Sequence, residues 1–198
     1  NAVNVSAAGG ILTQNLTGAA YVGSNNIWDS SFSLANGWTI EASVKVISQV
    51  PSTAGATVIQ AFLTEATLPA QLQIRTAGQV MGNFCAFETL GNGTEDNTDA
   101  FHVFRMAQSP GEEKLSVWRD GVLLFDDQTA VGVFGPGEDG NTWLYFGDLG
   151  GAWGGEVQYE YFRFTPGAFA PVPEPGSLAL VGSLLLLTGV FRRRLLRG

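Results

Sequence analysis

Trp38-Thr39-Ile40-Glu41-Ala42-Ser43-Val44-Lys45-Val46 alternates apolar and polar side chains without a break, and Ile47 follows. Side chains of an extended chain point to opposite faces in turn. Trp38, Ile40, Ala42, Val44 and Val46 therefore share one face, and Thr39, Glu41, Ser43 and Lys45 share the other. This is the pattern of a strand with one face on a core and the other toward water. A helix would need apolar residues three and four apart, and no useful length of this chain has that spacing.

The same reading extends downstream. Residues 57–63 and 72–75 form further strands, and residues 80–87, apolar on both parities, form one strand central in a sheet. Residues 101–107 follow. Residues 114–119 and 122–125 flank Asp120-Gly121, a two-residue signal for a type I′ hairpin turn. Residues 143–147 and 156–164 complete a set of ten to twelve strands. That number in residues 1–165 predicts a single all-β domain of two packed antiparallel sheets. The only linker is the Pro-, Ala- and Gly-rich stretch 166–175.

Composition agrees. Charged residues make up 14% of the 198-residue chain, against ~25% in an ordinary soluble domain, and the 26 glycines suit a fold with many turns. The formal net charge of −8 conceals an asymmetry, because residues 1–171 hold six Lys and Arg against 17 Asp and Glu. An acidic body repels phosphate backbones, which excludes nucleic acid as a partner. Cys85 is the single cysteine, so no disulfide forms within the chain, and it reads as a buried thiol beside Phe84 and Phe87.

Several groups of residues could carry chemistry. Glu88, Asn92, Glu95, Asp96, Asn97 and Asp99 crowd one loop. Calcium takes six to eight hard oxygens, so Glu95, Asp96 and Asp99 are candidate ligands, and Ca2+ is the one cofactor the chain suggests. A solvated turn is the ordinary alternative for this loop and for the acidic stretch 136–141. Trp153 lies in Gly150-Gly151-Ala152-Trp153-Gly154-Gly155, without an evident core role, and is the candidate ligand contact, since aromatic faces pack on sugar rings. Trp143 and Tyr145 alternate along a strand and read as core. His102, between Phe101 and Val103, reads as a structural histidine, and with no second His neither a His-based metal site nor a Ser-His-Asp triad can be assembled. Glu156, Gln158 and Glu160 share one strand face, the two carboxylates ~13 Å apart along it.

The C-terminus has a different logic. Val172-Pro173-Glu174-Pro175 precedes residues 177–191, which carry no charge, and Arg192-Arg193-Arg194 follows. As a helix the uncharged run would span ~22 Å, short of the ~30 Å hydrocarbon core. This predicts a short transmembrane helix suited to temporary anchoring. The arginines, in the 192–198 tail, would stay cytoplasmic, and Pro173 and Pro175 would keep an extended segment outside the bilayer.

These last residues resemble the PEP-CTERM sorting signal in all three of its parts, over about 27 residues. The resemblance implies a Gram-negative bacterium that makes exopolysaccharide or biofilm, and processing by exosortase. It implies a chain that is exported, held transiently at the cell envelope and then left at the surface or outside the cell. The body resembles the laminin-G-like, or concanavalin-type, jelly roll. The likeness rests on Gly37-Trp38-Thr39-Ile40-Glu41-Ala42, Phe101-His102-Val103-Phe104-Arg105, Leu115-Ser116-Val117-Trp118-Arg119-Asp120-Gly121 and the run from Gly155 to Phe164. Laminarinase-type hydrolases share that jelly roll and place Glu-x-Asp-x-Glu on a strand, but here Gln158 stands at the middle position. The expectation is therefore a non-enzymatic domain that binds extracellular polysaccharide or mediates adhesion. The alternatives are a structural matrix protein with no defined ligand and a divergent glycoside hydrolase.

The tail reading predicts that intact-mass measurement of the exported protein finds a chain shortened at or beside Pro173-Glu174-Pro175. Recovery of the whole chain from the cytosol, hydrophobic end attached, would overturn it.

Overall fold

In the computed structural model, residues 4–15, 33–49, 56–62, 70–82, 87–112, 114–129, 143–147 and 155–171 are described. They form β1 (Asn4–Ala8), β2 (Ile11–Asn15), β3 (Trp38–Gln49), β4 (Thr57–Phe62), β5 (Ala70–Ile74) and β6 (Gln79–Gly82). The second half supplies β7 (Phe87–Leu90), β8 (His102–Gln108), β9 (Lys114–Arg119), β10 (Val122–Thr129), β11 (Trp143–Gly147) and β12 (Gly155–Pro166). Among the described residues there is no helix.

Every strand pairing is antiparallel. One sheet has seven strands in the order β1-β2-β12-β3-β8-β9-β10, and the other has five in the order β11-β4-β5-β6-β7. The alternating stretch is β3, held between β8 and β12. Trp38, Ala42, Val44 and Val46 are fully buried, and Ile40 nearly so. They pack with Phe104, Met106, Leu115, Val117, Val157 and Tyr159 of their own sheet and with Ile59, Leu72, Ile74 and Leu90 of the other. Phe146 of β11 joins the layers, stacked on Phe162 at 4.6 Å and edge-on to Tyr159 at 5.3 Å between ring centroids. Two polar contacts cross this core: the Trp38 indole donates to Gln108 Oε1, and the hydroxyls of Thr57 and Tyr159 meet across the sandwich. Burial pushes the Tyr159 phenol well above its ordinary pKa, so it stays protonated.

The structure departs from the sequence reading at three points, two of them corrections and one an element that the sequence reading left undescribed. First, residues 80–87 are not one central strand. β6 and β7 pair with each other, Gln79 opposite Leu90 and Gly82 opposite Phe87, and β7 lies at the sheet edge. Second, β1 and β2 form a hairpin around Gly9-Gly10, whose φ angles of 59° and 81° fit a two-residue turn with both residues left-handed. Third, β3 is not half-buried. Thr39, Glu41 and Ser43, on the face away from the core, are buried as well. The Asp120-Gly121 turn is as expected, with φ of 51° and 78°.

Burial of Glu41 has a clear cause and consequence. Its carboxylate is ion-paired to Arg105 of β8 and to Arg163 of β12, and the Tyr161 hydroxyl donates to Oε1 at 2.8 Å. Burial alone would raise the Glu41 pKa, but the hydrogen bonds from Arg105 and Tyr161 and the two positive charges bring it below the ordinary carboxylate range. Burial and the same carboxylate push the Tyr161 phenol up to about 12. Removing one member of a buried ion pair strands the others. Glu41→Gln should therefore lower stability at neutral pH by about 3 kcal/mol. A depressed folded pKa gives stability that is complete above the unfolded carboxylate value of about 4.3 and is lost as pH falls through the folded value. The plot of thermal midpoint against pH should accordingly lose acid-side slope in this variant; an unchanged slope would remove Glu41 as its source.

Candidate functional site

Register divides the five-stranded sheet into two faces. Ile59 pairs with Leu72, and Thr57 pairs with Ile74; these rows face the seven-stranded sheet. The alternate rows face away from it. In one, Gly147 pairs with Val58, Val58 with Gln73, Gln73 with Val80 and Val80 with Thr89. In the next, Tyr145 pairs with Gln60 and Gln60 with Gln71. Gln71, Gln73 and Arg75 thus run along β5 and just past its end on the face opposite the hydrophobic core.

The polar atoms of this line are unusual. Gln71 is 1% exposed and Gln73 is 0% exposed, yet among the described residues neither amide nitrogen nor amide oxygen of either has a hydrogen-bond partner; the Gln14 side chain and Gln79 Oε1 share that state elsewhere in the domain. The Arg75 Nε is buried and unpartnered too. Buried polar groups are nearly always paired, and leaving one unpaired costs about 1–3 kcal/mol. Burial lowers the Arg75 pKa from its ordinary value, although a guanidinium remains charged at any physiological pH.

A second set of residues holds this line in place. Residues 75–78 turn β5 into β6, closed by the Arg75 amide donating to the Gly78 carbonyl at 3.2 Å. Asn97, fully buried, fills the turn: its side-chain nitrogen donates to the Arg75 and Gly78 carbonyls, each at 3.0 Å. Its amide donates to Thr76 O at 3.1 Å, and its carbonyl accepts from the Val46 amide at 2.9 Å. Arg119 Nε donates to Asn97 Oδ1 at 2.9 Å. Asn97 therefore ties the five-stranded sheet to β3 and β9. Sequence reasoning saw it only as one oxygen donor in an acidic loop.

The candidate calcium ligands are occupied with local work. The Asp96 carboxylate accepts the Thr98 amide and hydroxyl at 2.8 and 2.7 Å, which holds its pKa down. Glu95 accepts the Asn92 amide at 3.1 Å and the Gln79 side chain at 3.4 Å. Asp99 accepts from His102 Nε2 at 2.8 Å, and this bond lowers its pKa. Among the described residues no group of three or more His, Cys, Asp or Glu is arranged to hold a metal. His102 is buried between two carboxylates, its Nδ1 lying 2.7 Å from Asp120 Oδ2. Asp120 Oδ1 in turn accepts the Val103 amide. The histidine ties the β9–β10 turn to β8, a structural role.

The carboxylates of β12 are also separated in use. Glu156 accepts from Asn15 Nδ2 at 3.0 Å and Glu160 from the Ser43 hydroxyl at 2.6 Å. A bulge in β12 sets Glu160 and Tyr161 together against Ser43. Trp143 and Tyr145 pair with Phe62 and Gln60; their side chains lie outside what is described, as does their reading as core. Cys85, Trp153, the stretch 136–141, Val172, Pro173, Glu174, Pro175, the run 177–191 and Arg192, Arg193 and Arg194 lie outside the described residues.

Among solved structures, the chain is similar to the carbohydrate binding module CBM66 from Bacillus subtilis. The match has a TM-score of 0.50 at 9% identity and covers 82% of this chain and 91% of that one. The Caenorhabditis elegans galectin LEC-6 matches with a TM-score of 0.40 at 13% identity, over 76% of this chain and 93% of the galectin. An alginate lyase in complex with dimannuronate matches with a TM-score of 0.41 at 11% identity, over 80% of this chain and 71% of the lyase. No protein-family model and no curated protein matches the sequence. At these identities the likeness is one of fold: an all-β, antiparallel, jelly-roll-like sandwich.

If the two glutamines are kept for something other than stability, replacing their amides with apolar groups of similar shape should stabilise the domain. Gln71→Met and Gln73→Met are each expected to add about 1–2 kcal/mol, read from chemical denaturation. A loss of stability in both would mean that the amides are satisfied in solution.

Proposed function

We propose that this domain is a non-catalytic carbohydrate-binding module, exported and anchored through its C-terminal tail until exosortase processes that tail. Its binding site is the outer face of the five-stranded sheet, around Gln71 and Gln73. The observation that carries the reading is the pair of buried, unpartnered amides. Each amide offers two donors and an acceptor with two lone pairs, which suits the hydroxyl groups of a sugar; both are closed to solvent here, so binding requires the cover over them to open. The groups are held on a strand, so they are arranged before a ligand arrives and little ordering is needed on binding. A jelly-roll-like fold that also occurs in a carbohydrate binding module supports the reading at the level of fold. The engagement of Glu156 and Glu160 by separate side chains favours binding over hydrolysis, which needs two carboxyl groups flanking one bond.

The test uses the 198-residue chain in mild detergent against a panel of immobilised neutral and acidic glycans. At least one glycan class should bind saturably, and the double variant Gln71→Met, Gln73→Met should lose at least about tenfold in affinity, equal to 1.4 kcal/mol, while remaining folded. Flat signals for every glycan would sink the proposal and leave a structural matrix role.

A further inference from the structure

Among the described residues there are four arginines. Arg105 and Arg163 share Glu41, and Arg119 pairs with Asp120. Arg75 has no acidic partner, although residues 1–171 hold 17 acids to six basic residues. Two acids even stand beside its turn: Ala77 bridges to Asp96, and the Gly78 amide donates to the Glu95 carbonyl at 2.8 Å. Both carboxylates are turned to other work, Asp96 on Thr98 and Glu95 on Asn92 and Gln79. The guanidinium is half-buried, its Nε has no partner, and burial is what perturbs it. A desolvated cation with no counter-charge is unfavourable, and its backbone is pinned on both sides, by Gly78 O and by the Asn97 side chain.

We infer that Arg75, in line with the amides of Gln71 and Gln73, makes this face selective for glycans that carry a uronate carboxylate. The inference rests on the carbohydrate-binding reading above and adds the class of sugar. A guanidinium presents a planar fork of donors that matches a carboxylate, and Arg75, half-buried, is the part of this line that solvent reaches. The charge of the surrounding body limits the ligand further. An acidic surface repels a polyanion, with a screening length of about 8 Å at physiological salt. The favoured ligand is therefore a largely neutral chain bearing isolated uronate units, not a charge-dense polymer.

The experiment compares three probes by calorimetry on the 198-residue chain in mild detergent: a β-linked glucose oligosaccharide bearing one glucuronate unit, the same compound after carboxyl reduction, and its neutral parent. The glucuronate compound should bind at least about tenfold tighter than the other two. Arg75→Gln should bring that ratio to about one, and Arg75→Lys, which keeps the charge and loses the fork, should retain part of it. Equal affinity for all three probes would overturn the uronate inference while the carbohydrate reading stands. Absence of binding to any of them and to the wider glycan panel would overturn both. A ratio unchanged in a folded Arg75→Gln protein would show that another group reads the carboxylate.

Discussion

The arrangement of the seven-stranded sheet depends on one buried carboxylate. Glu41 sits in the middle of β3, on the side away from the hydrophobic core, and its charge is met by one arginine from each neighbouring strand and by a tyrosine hydroxyl. Because side chains alternate along a strand, a slip of one residue in either pairing would exchange the faces of every residue. It would drive Glu41 into the apolar layer and expose Ile40. Hydrophobic packing of Trp38, Val44 and Tyr159 favours the observed register, but apolar contacts tolerate some displacement. A buried charge does not, since it is stable only with its partners in place. The bulge at Glu160 belongs to the same constraint. It sets Tyr161 against Ser43 and Arg163 opposite Glu41, so that both reach the carboxylate.

The outer faces of the two sheets therefore have opposite characters. On β3 of the seven-stranded sheet the buried polar groups of the outer face are paired: Glu41 with its arginines, Ser43 with Glu160, Thr39 with the Gly167 carbonyl. On the five-stranded sheet Gln71, Gln73 and the Nε of Arg75 are buried and unpaired. One face is organised for stability and the other keeps polar groups whose removal should stabilise the domain. Natural chains retain such losses where binding needs them, which is the ground for proposing the site on the second face.

Much of the fold was legible from local pattern. The alternation in β3, the Asp120-Gly121 turn and the bounds of β9 and β11 follow from period-two spacing and turn chemistry, which act over a few residues. What was not legible depends on contacts remote in sequence. Glu41 reads as solvent-facing until Arg163, 122 residues away, comes to lie beside it. Residues 80–87 read as one strand because an apolar run does not reveal where it folds back. Gln71 and Gln73 gave no signal, since polar residues alternating with Leu72 and Ile74 are what a half-exposed strand shows; only burial without partners sets them apart. Glu95, Asp96 and Asp99 drew a metal reading from composition alone. In the fold their oxygens close turns and hold His102, and the residue that matters most in that loop is Asn97.

The path of the chain beyond β12 gives the two faces a spatial relation. The Gly167 amide donates to the Gly37 carbonyl at 3.0 Å, the Thr39 hydroxyl donates to Gly167 O at 2.7 Å, and the Phe169 amide donates back to Thr39 Oγ1 at 2.9 Å. Arg105, already on Glu41, also reaches Phe169 O at 3.4 Å. The chain thus leaves the domain across the outer face of β3 and β8, the paired face. Gln71, Gln73 and Arg75 lie on the far side of the five-stranded sheet, beyond a sandwich whose sheets stack about 10 Å apart. The attachment of residues 167–169 and the orphaned amides of Gln71 and Gln73 therefore lie on opposite sides of the sandwich.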